Sequence, residues 1–289
     1  YTAQDRAVTA DDYKVLVKSL YANAQSVQVY GGEDAATPDY GKVYISIKAK
    51  SGSNLTEVTK TSLVQSLKSF AVASVTPVII DPETTFITLT TTFKYDSSLT
   101  TKDVSTLQTN VLNAVSTYNT DTLEDFTGMF RYSAVGKTID EADTSILSNI
   151  TKIKMYKYIT PTLSSGLKYT LSFNNAFYNP HSGHNSSAGG IVSSTGFKIN
   201  NDSSTNEHFL DDDGAGNIRV YYLSGTTRIY TDSTFGTINY TTGEIILTSA
   251  NITSISNVDG AASTQIRVTT TPSSNDIIPV RNQVLEIDT

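Results

Sequence analysis

The sequence predicts an α+β fold: a split β-α-β, ferredoxin-like N-terminal region followed by an all-β sandwich or barrel-like domain. Three observations carry that prediction. Apolar residues recur at helical and at strand spacing up to about residue 160; helical spacing then disappears beyond Pro161; and Gly, Asn and Ser punctuate short β-prone runs from there on. The 289 residues suit two domains, because one domain usually holds ~100 to 200. The expected division is an N-terminal helix and connecting arm (1–40), an α+β core (41–160) and a β-rich domain (161–289).

The first helix is read from Thr9 and Asp12. Their spacing lets a hydroxyl cap the first turn while an acid sits at the positive helix end, and Tyr13, Leu16, Val17 and Leu20 follow at helical spacing. After Gly31, Gly32 and a polar turn through Gly41, the period changes. Val43, Ile45 and Ile47 alternate with Tyr44, Ser46 and Lys48, as a half-buried strand requires. From Thr56 a long helix buries Leu63, Leu67, Phe70 and Ala71, with Lys60, Gln65 and Lys68 on its polar face.

Pro77 closes that region. Residues 78–80 form a short strand, Asp81, Pro82 and Glu83 turn the chain, and Ile87, Leu89, Thr91, Phe93 and Tyr95 line one face of a long strand that can pair with it. Thr100 and Asp103 repeat the capping spacing before Val104, Leu107, Val111, Val115 and Tyr118. A shorter helix is expected over 133–142 and a closing strand at Ile153 and Met155. This order places both long helices on one face of a single antiparallel sheet.

Beyond residue 160 the β-prone runs are 169–173, 218–223, 227–230, 236–240, 244–248 and 265–270. Tyr240, Thr241, Thr242, Gly243 and Glu244 read as a hairpin loop with Gly where a positive φ is needed. The stretch 174–206 is loop-like, a candidate for disorder in an isolated domain and for ordering against a neighbour in an assembly.

Composition narrows the function classes. Without cysteine there is no disulfide, thiolate metal site or cysteine nucleophile. A net charge of −7 argues against a nucleic-acid footprint, and residues after 160, with 6 basic and 11 acidic, carry −5 of it. No apolar run approaches the ~18 residues of a membrane-spanning helix, so no membrane partner is expected. No phosphate loop, dinucleotide fingerprint, nucleophile elbow or zinc-protease motif occurs, and neither catalytic residue nor cofactor is assigned.

Several residue groups invite chemistry, each with a plainer competitor. His181 and His184 form an H-x-x-H pair that His208 could complete as a metal site; a polar loop is the competing reading. Asp211, Asp212, Asp213 and Gly214 resemble a calcium loop, but Phe209 and Val220 occupy ligand positions, which favours an exposed acidic turn. Asp11 with Asp12, Glu124 with Asp125, and Asp140, Glu141 with Asp143 are read as solvated acids before they are read as catalytic pairs. Of 17 tyrosines, Tyr156, Tyr158, Tyr221, Tyr222 and Tyr230 are candidates to face a partner.

The run Arg6, Ala7, Val8, Thr9, Ala10, Asp11, Asp12, Tyr13, then Val29, Tyr30, Gly31 and 41–47, resembles the core signature of the baseplate J-like family. Asp39, Tyr40, Gly41 stand where that family more usually has Pro-Gly. Phe130, Arg131, Tyr132 and Ser133 continue the resemblance. The run 236–243 with Pro279, Val280, Arg281 and Asn282 is similar to the C-terminal portion of the wedge subunits of T-even-like contractile-tailed bacteriophages.

The resemblance implies a virion structural protein of the tail baseplate, assembled in the host cytoplasm, without catalysis or cofactor. It implies partners: a second copy as a homodimer contributing to an inner ring around the hub, and other wedge proteins. Arg6, Thr9, Asp12, Tyr13, Gly31, Gly41, Arg131 and Ser133 are its motif residues, expected to serve the fold. Two alternatives stand beside it: a host-surface or carbohydrate-binding tail domain, suggested by the Tyr-rich, loop-rich second half, and a hydrolase working through a pair of carboxyl groups.

Overall fold

A computed structural model describes residues 6–288 except 36, 52–53, 182, 189, 201, 203–205 and 259. The chain forms two compact units. One takes residues through Thr84 with Thr117–Phe130 and Pro279–Glu286; the other takes Thr85–Ser116, Arg131–Ile278 and Ile287–Thr289.

In the first unit, helix α1 (Ala10–Leu20) starts where expected. Thr9 Oγ1 accepts the Asp12 N–H at 3.2 Å and Asp12 Oδ2 accepts the Thr9 N–H at 2.7 Å, so each side chain satisfies a backbone group the helix leaves open. Strand β1 (Ala24–Gly31) occupies the segment that the sequence predicts as a connecting arm. It pairs antiparallel with β2 (Lys42–Ala49), while β3 (Thr76–Ile80) pairs parallel with β2 on the other side.

Helix α2 (Glu57–Lys68) makes the crossover that a parallel pair needs. Pro77 lies within β3, opposite Val43, and β3 is the sheet edge, where a missing N–H is tolerated. The core joins Tyr13 and Val17 of α1, Val27 and Val29 of β1, Ile45 and Ile47 of β2, and Leu63 and Leu67 of α2. Each such aliphatic side chain contributes roughly 1.5 to 3 kcal/mol when fully buried.

Lys60 corrects the expected polar face of α2. It lies three residues before Leu63 on the inner face, is only 9% exposed, and donates to Asp81 Oδ2 at 2.7 Å and Glu57 Oε1 at 2.8 Å. Paired in this way, its charge can be buried.

In the second unit, β4 (Glu83–Tyr95) runs antiparallel to β5 (Ile146–Ile159), from Phe86 opposite Tyr156 to Tyr95 opposite Ile146. Between them lie α3 (Val104–Tyr118) and α4 (Tyr132–Asp140). The cap of α3 is Asp103, whose Oδ1 accepts the Thr106 N–H at 2.9 Å; Thr100 accepts from Lys102 outside the helix. Strand β6 (Gly166–Ser172) and the short helix α5 (His184–Ala188) follow, then β7 (Ser193–Ser194), β8 (Phe197–Ile199), β9 (His208–Asp212), β10 (Asn217–Ser224), β11 (Thr227–Asn239), β12 (Glu244–Ile255) and β13 (Ile266–Thr270).

Strands β8 to β12 close into a five-stranded barrel, since β12 pairs with both β11 and β8, and β6 lies along β12. Phe197, Leu210, Ile218, Val220, Ile245, Leu247 and Ile252 are buried there. Strand β13 pairs instead with β5, and β7 with β13.

The α+β class and the β-barrel agree with expectation, but the single ferredoxin-like sheet does not. β2 and β3 belong to one sheet, β4 and β5 to another, and β3 does not pair with β4. The physical reason is that β1 occupies the free edge of β2, while β4 finds in β5 a partner of matching length. Helix α4 begins at Tyr132 and ends at Asp140, close to the expected 133–142.

Candidate assembly surfaces

Four of the six motif residues of the first unit, Thr9, Tyr13, Gly31 and Gly41, sit around one cavity. Thr9 caps α1, Tyr13 is buried one turn later, Gly31 ends β1 and Gly41 enters β2 with φ 79°. Gly41 supplies the left-handed turn that Pro-Gly would otherwise give, and its carbonyl accepts the Thr76 N–H at 2.8 Å. Thr9, Tyr13, Gly31 and Gly41 line a space of about 360 Å³ with Tyr30, Glu33 and Lys42. Burial raises the Tyr13 phenol above its ordinary range.

The other motif residues lie elsewhere. Arg6 is exposed beside Ala7, whose N–H donates to the Phe70 carbonyl at 2.7 Å. Arg131 and Ser133 belong to the second unit, exposed at the start of α4, where the Arg131 carbonyl accepts from Ala134 and Val135.

A second apolar groove, of about 320 Å³, lies in the second unit. Leu89, Thr91 and Phe93 of β4 face Val111, Leu112 and Val115 of α3 across it. Helix α3 carries no charged residue, so its outer face offers uncharged polar groups with the exposed Val104 and Leu112.

The acidic run 211–213 corrects the expectation of an exposed turn. Asp211 and Asp212 are buried in β9. Asp211 accepts from Arg219 Nε at 2.9 Å, an Arg228 guanidinium nitrogen at 2.7 Å and the Tyr230 hydroxyl at 2.9 Å. Asp212 accepts from the N–H groups of Ile191 and Val192 at 2.6 and 2.8 Å and from the Tyr240 hydroxyl at 2.6 Å. Only Asp213 works in a turn, holding Ala215 N–H and Asn217. These buried acids are compensated by donors that strand pairing brings from far along the chain, which local sequence does not reveal.

The remaining candidates are structural too. His181 and His184 contact one another at 3.2 Å; His208 is buried in β9 with Nε2 3.1 Å from Thr231 Oγ1, and burial lowers its pKa. No group of three metal-ligating side chains occurs among the described residues. Asp143, expected to be solvated, is buried; its carboxylate accepts from Lys102 at 2.5 Å and from Ser145, and Lys102 first among these holds it well below the usual carboxylate range. Glu124 and Asp140 accept from Asn119 and Asn149, and Asp125 from Thr127. Of the tyrosines, Tyr156 and Tyr221 are buried, Tyr222 is half-buried, and Tyr158 and Tyr230 are exposed.

Comparison with known proteins falls on the segments that carry β1 to β3 and β4 with β5. Residues 9–80 match the family "Baseplate structural protein gp6, C-terminal domain I", and residues 83–158 match "Baseplate structural protein gp6, C-terminal domain III". The chain carries C-terminal domains I and III of the gp6 family of baseplate structural proteins. A curated gp6-family relative, baseplate wedge protein gp6 of Enterobacteria phage T4, is 30% identical over 172 residues, 57% of this chain and 25% of that protein. The chain thus spans one quarter of the length of that relative.

A solved structure of the anti-feeding prophage baseplate shares 11% identity at a TM-score of 0.39, covering 52% of this chain and 34% of that one, a likeness too slight to bear on function. The gp6 family is one of structural proteins rather than enzymes, and its place is the phage tail baseplate. The barrel residues after 158 lie outside both gp6 domain matches. No helix among the described residues is long and apolar enough to cross a membrane.

Proposed function

We propose that this chain is a wedge subunit that joins copies of itself and other wedge proteins into the inner ring around the central hub. The ring holds together while the outer baseplate rearranges with sheath contraction. The observation that carries the reading is the pair of gp6 domains following one another over residues 9–158. Rings close when repeated interfaces obey symmetry, and that role asks for surfaces rather than a reactive site. Arg6, Thr9, Asp12, Tyr13, Gly31, Gly41, Arg131 and Ser133 serve the fold in this reading: Thr9 and Asp12 cap α1, Tyr13 joins the core and Gly41 makes a turn.

Co-expression of the phage's wedge proteins with and without this protein, followed by electron microscopy of the purified particles, tests the proposal. Rings are expected only when it is present. Rings of unchanged diameter in its absence would sink the reading.

A further inference from the structure

Strand β11 has an open edge. One edge pairs with β10 along most of its length, but the other meets β12 only over residues 236–239. Over 227–231 that outer edge pairs with no strand among the described residues, and no backbone hydrogen bond there leaves the β10 ladder. An unpaired edge is a template for another strand.

The edge is already rigid. A two-residue turn, Gly225 and Thr226 with Gly225 at φ 63°, joins Ser224 to Thr227. Tyr221 faces Tyr230 across the ladder, Arg228 lies over the Tyr221 ring at 4.7 Å and Arg219 over the Tyr230 ring at 4.3 Å. Asp211, 1% exposed, ties both guanidiniums and the Tyr230 hydroxyl together. Ordering that precedes association lowers its entropic cost.

The edge carries one charge, Arg228, and that is already held by Asp211 and the Tyr221 ring. It holds neither Pro nor Lys, its ladder with β10 is regular from Thr227 to Tyr230, and the first irregularity comes at Thr231. Ile229 and Tyr230 are each 39% exposed.

Finally, the edge complements itself. Antiparallel pairing about a two-fold axis at Ile229 sets Thr227 opposite Thr231, Arg228 opposite Tyr230, and Ile229 opposite its own copy. These are a β-branched pair, a cation beside an aromatic ring and an aliphatic pair, and no like charges meet.

We infer that residues 227–231 of β11 pair with the same residues of a second copy, extending the barrel wall as one antiparallel sheet across a two-fold axis. The inference rests on the homotypic part of the function proposed above and names its surface.

Sedimentation velocity of the full chain tests it with Ile229→Lys, Ile229→Glu and their equimolar mixture. The wild-type chain is expected to dimerise. Each variant alone sets like charges opposite one another and weakens the dimer about tenfold or more, whereas the mixture restores it. Amide exchange of the wild-type chain at low and high concentration gives a reading independent of any variant, with protection at 228–230 expected to rise as dimer forms.

A dimer that both variants leave unchanged, a mixture no tighter than its components, or exchange at 228–230 that ignores concentration would overturn this surface while leaving self-association standing. A wild-type chain that stays monomeric overturns the inference together with the homotypic contact. Ring formation by the co-expressed wedge proteins then decides separately what remains of the wedge reading.

Discussion

At the scale of single residues, the barrel depends on acids that look ornamental in the sequence. Three aspartates before two glycines read as a polar turn, yet Asp211 is held by groups from β10 and β11, and Asp212 by the loop at 191–192 and by Tyr240. Asp211→Ala leaves two guanidiniums without their shared acceptor and is expected to cost about 2 to 3 kcal/mol, read from the midpoint of urea unfolding. His208 gives a pH signature. Burial depresses its folded-state pKa, so the unfolded chain takes up the proton first; the stabilising contribution is present above its ordinary value of about 6.5 and is lost as pH falls through the depressed value. Thermal melts between pH 7.5 and 5 should show a slope that His208→Gln removes. Asp143 acts in a lower window, since its contribution is present above its ordinary value and fades only in strong acid. None of this was legible beforehand, because burial of a polar side chain is decided by partners distant in sequence.

At the scale of elements, much more was legible. The Thr9–Asp12 spacing placed the start of α1, and the structure shows both halves of its capping box. Thr9→Ala is expected to cost about 1 kcal/mol, measurable by chemical denaturation. The hairpin between β11 and β12 was readable from Gly243, which has φ 70° and whose missing Cβ would overlap the Asn175 carbonyl oxygen. Gly243→Ala should therefore cost more than ~2 kcal/mol, by strain and by displacement of the loop that carries Phe173 and Phe177. The signal for β1 in the sequence is weak: Val27 and Val29 alternate with Gln28 and Tyr30, but only these two large aliphatic residues mark the strand, against three in β2. Lys60 departs from the polar face because position outranks charge; three residues before Leu63, it shares that residue's face. The convergence of Thr9, Tyr13, Gly31 and Gly41 on one cavity depends on the sheet that β1 completes, which their local sequence does not reveal.

At the scale of the molecule, strand order was the least legible layer. Helices announce their ends locally, but which strand lies beside which is settled by edges and lengths that one strand's sequence does not contain, so four expected neighbours became two pairs in two sheets. The same layer holds the least local feature of the first unit. Residues 279–286 return to it: the Asn282 N–H donates to Gln28 Oε1 at 2.5 Å, the Asn282 carbonyl accepts from Glu83, Lys48 pairs with Glu286 at 2.9 Å, and Arg281 reaches the Asp34 carbonyl. A fragment ending at residue 160 should consequently bind a hydrophobic dye and melt well below the whole chain, by circular dichroism. During synthesis the consequence is one of timing. Gln28 leaves the ribosome 254 residues ahead of Asn282, which at ~5 to 20 residues per second is a wait of about 13 to 50 s. For that interval the first unit lacks these contacts, and a slow codon run or an early stop late in the message would leave that unit, although its strands are made earlier, as the part that fails to set.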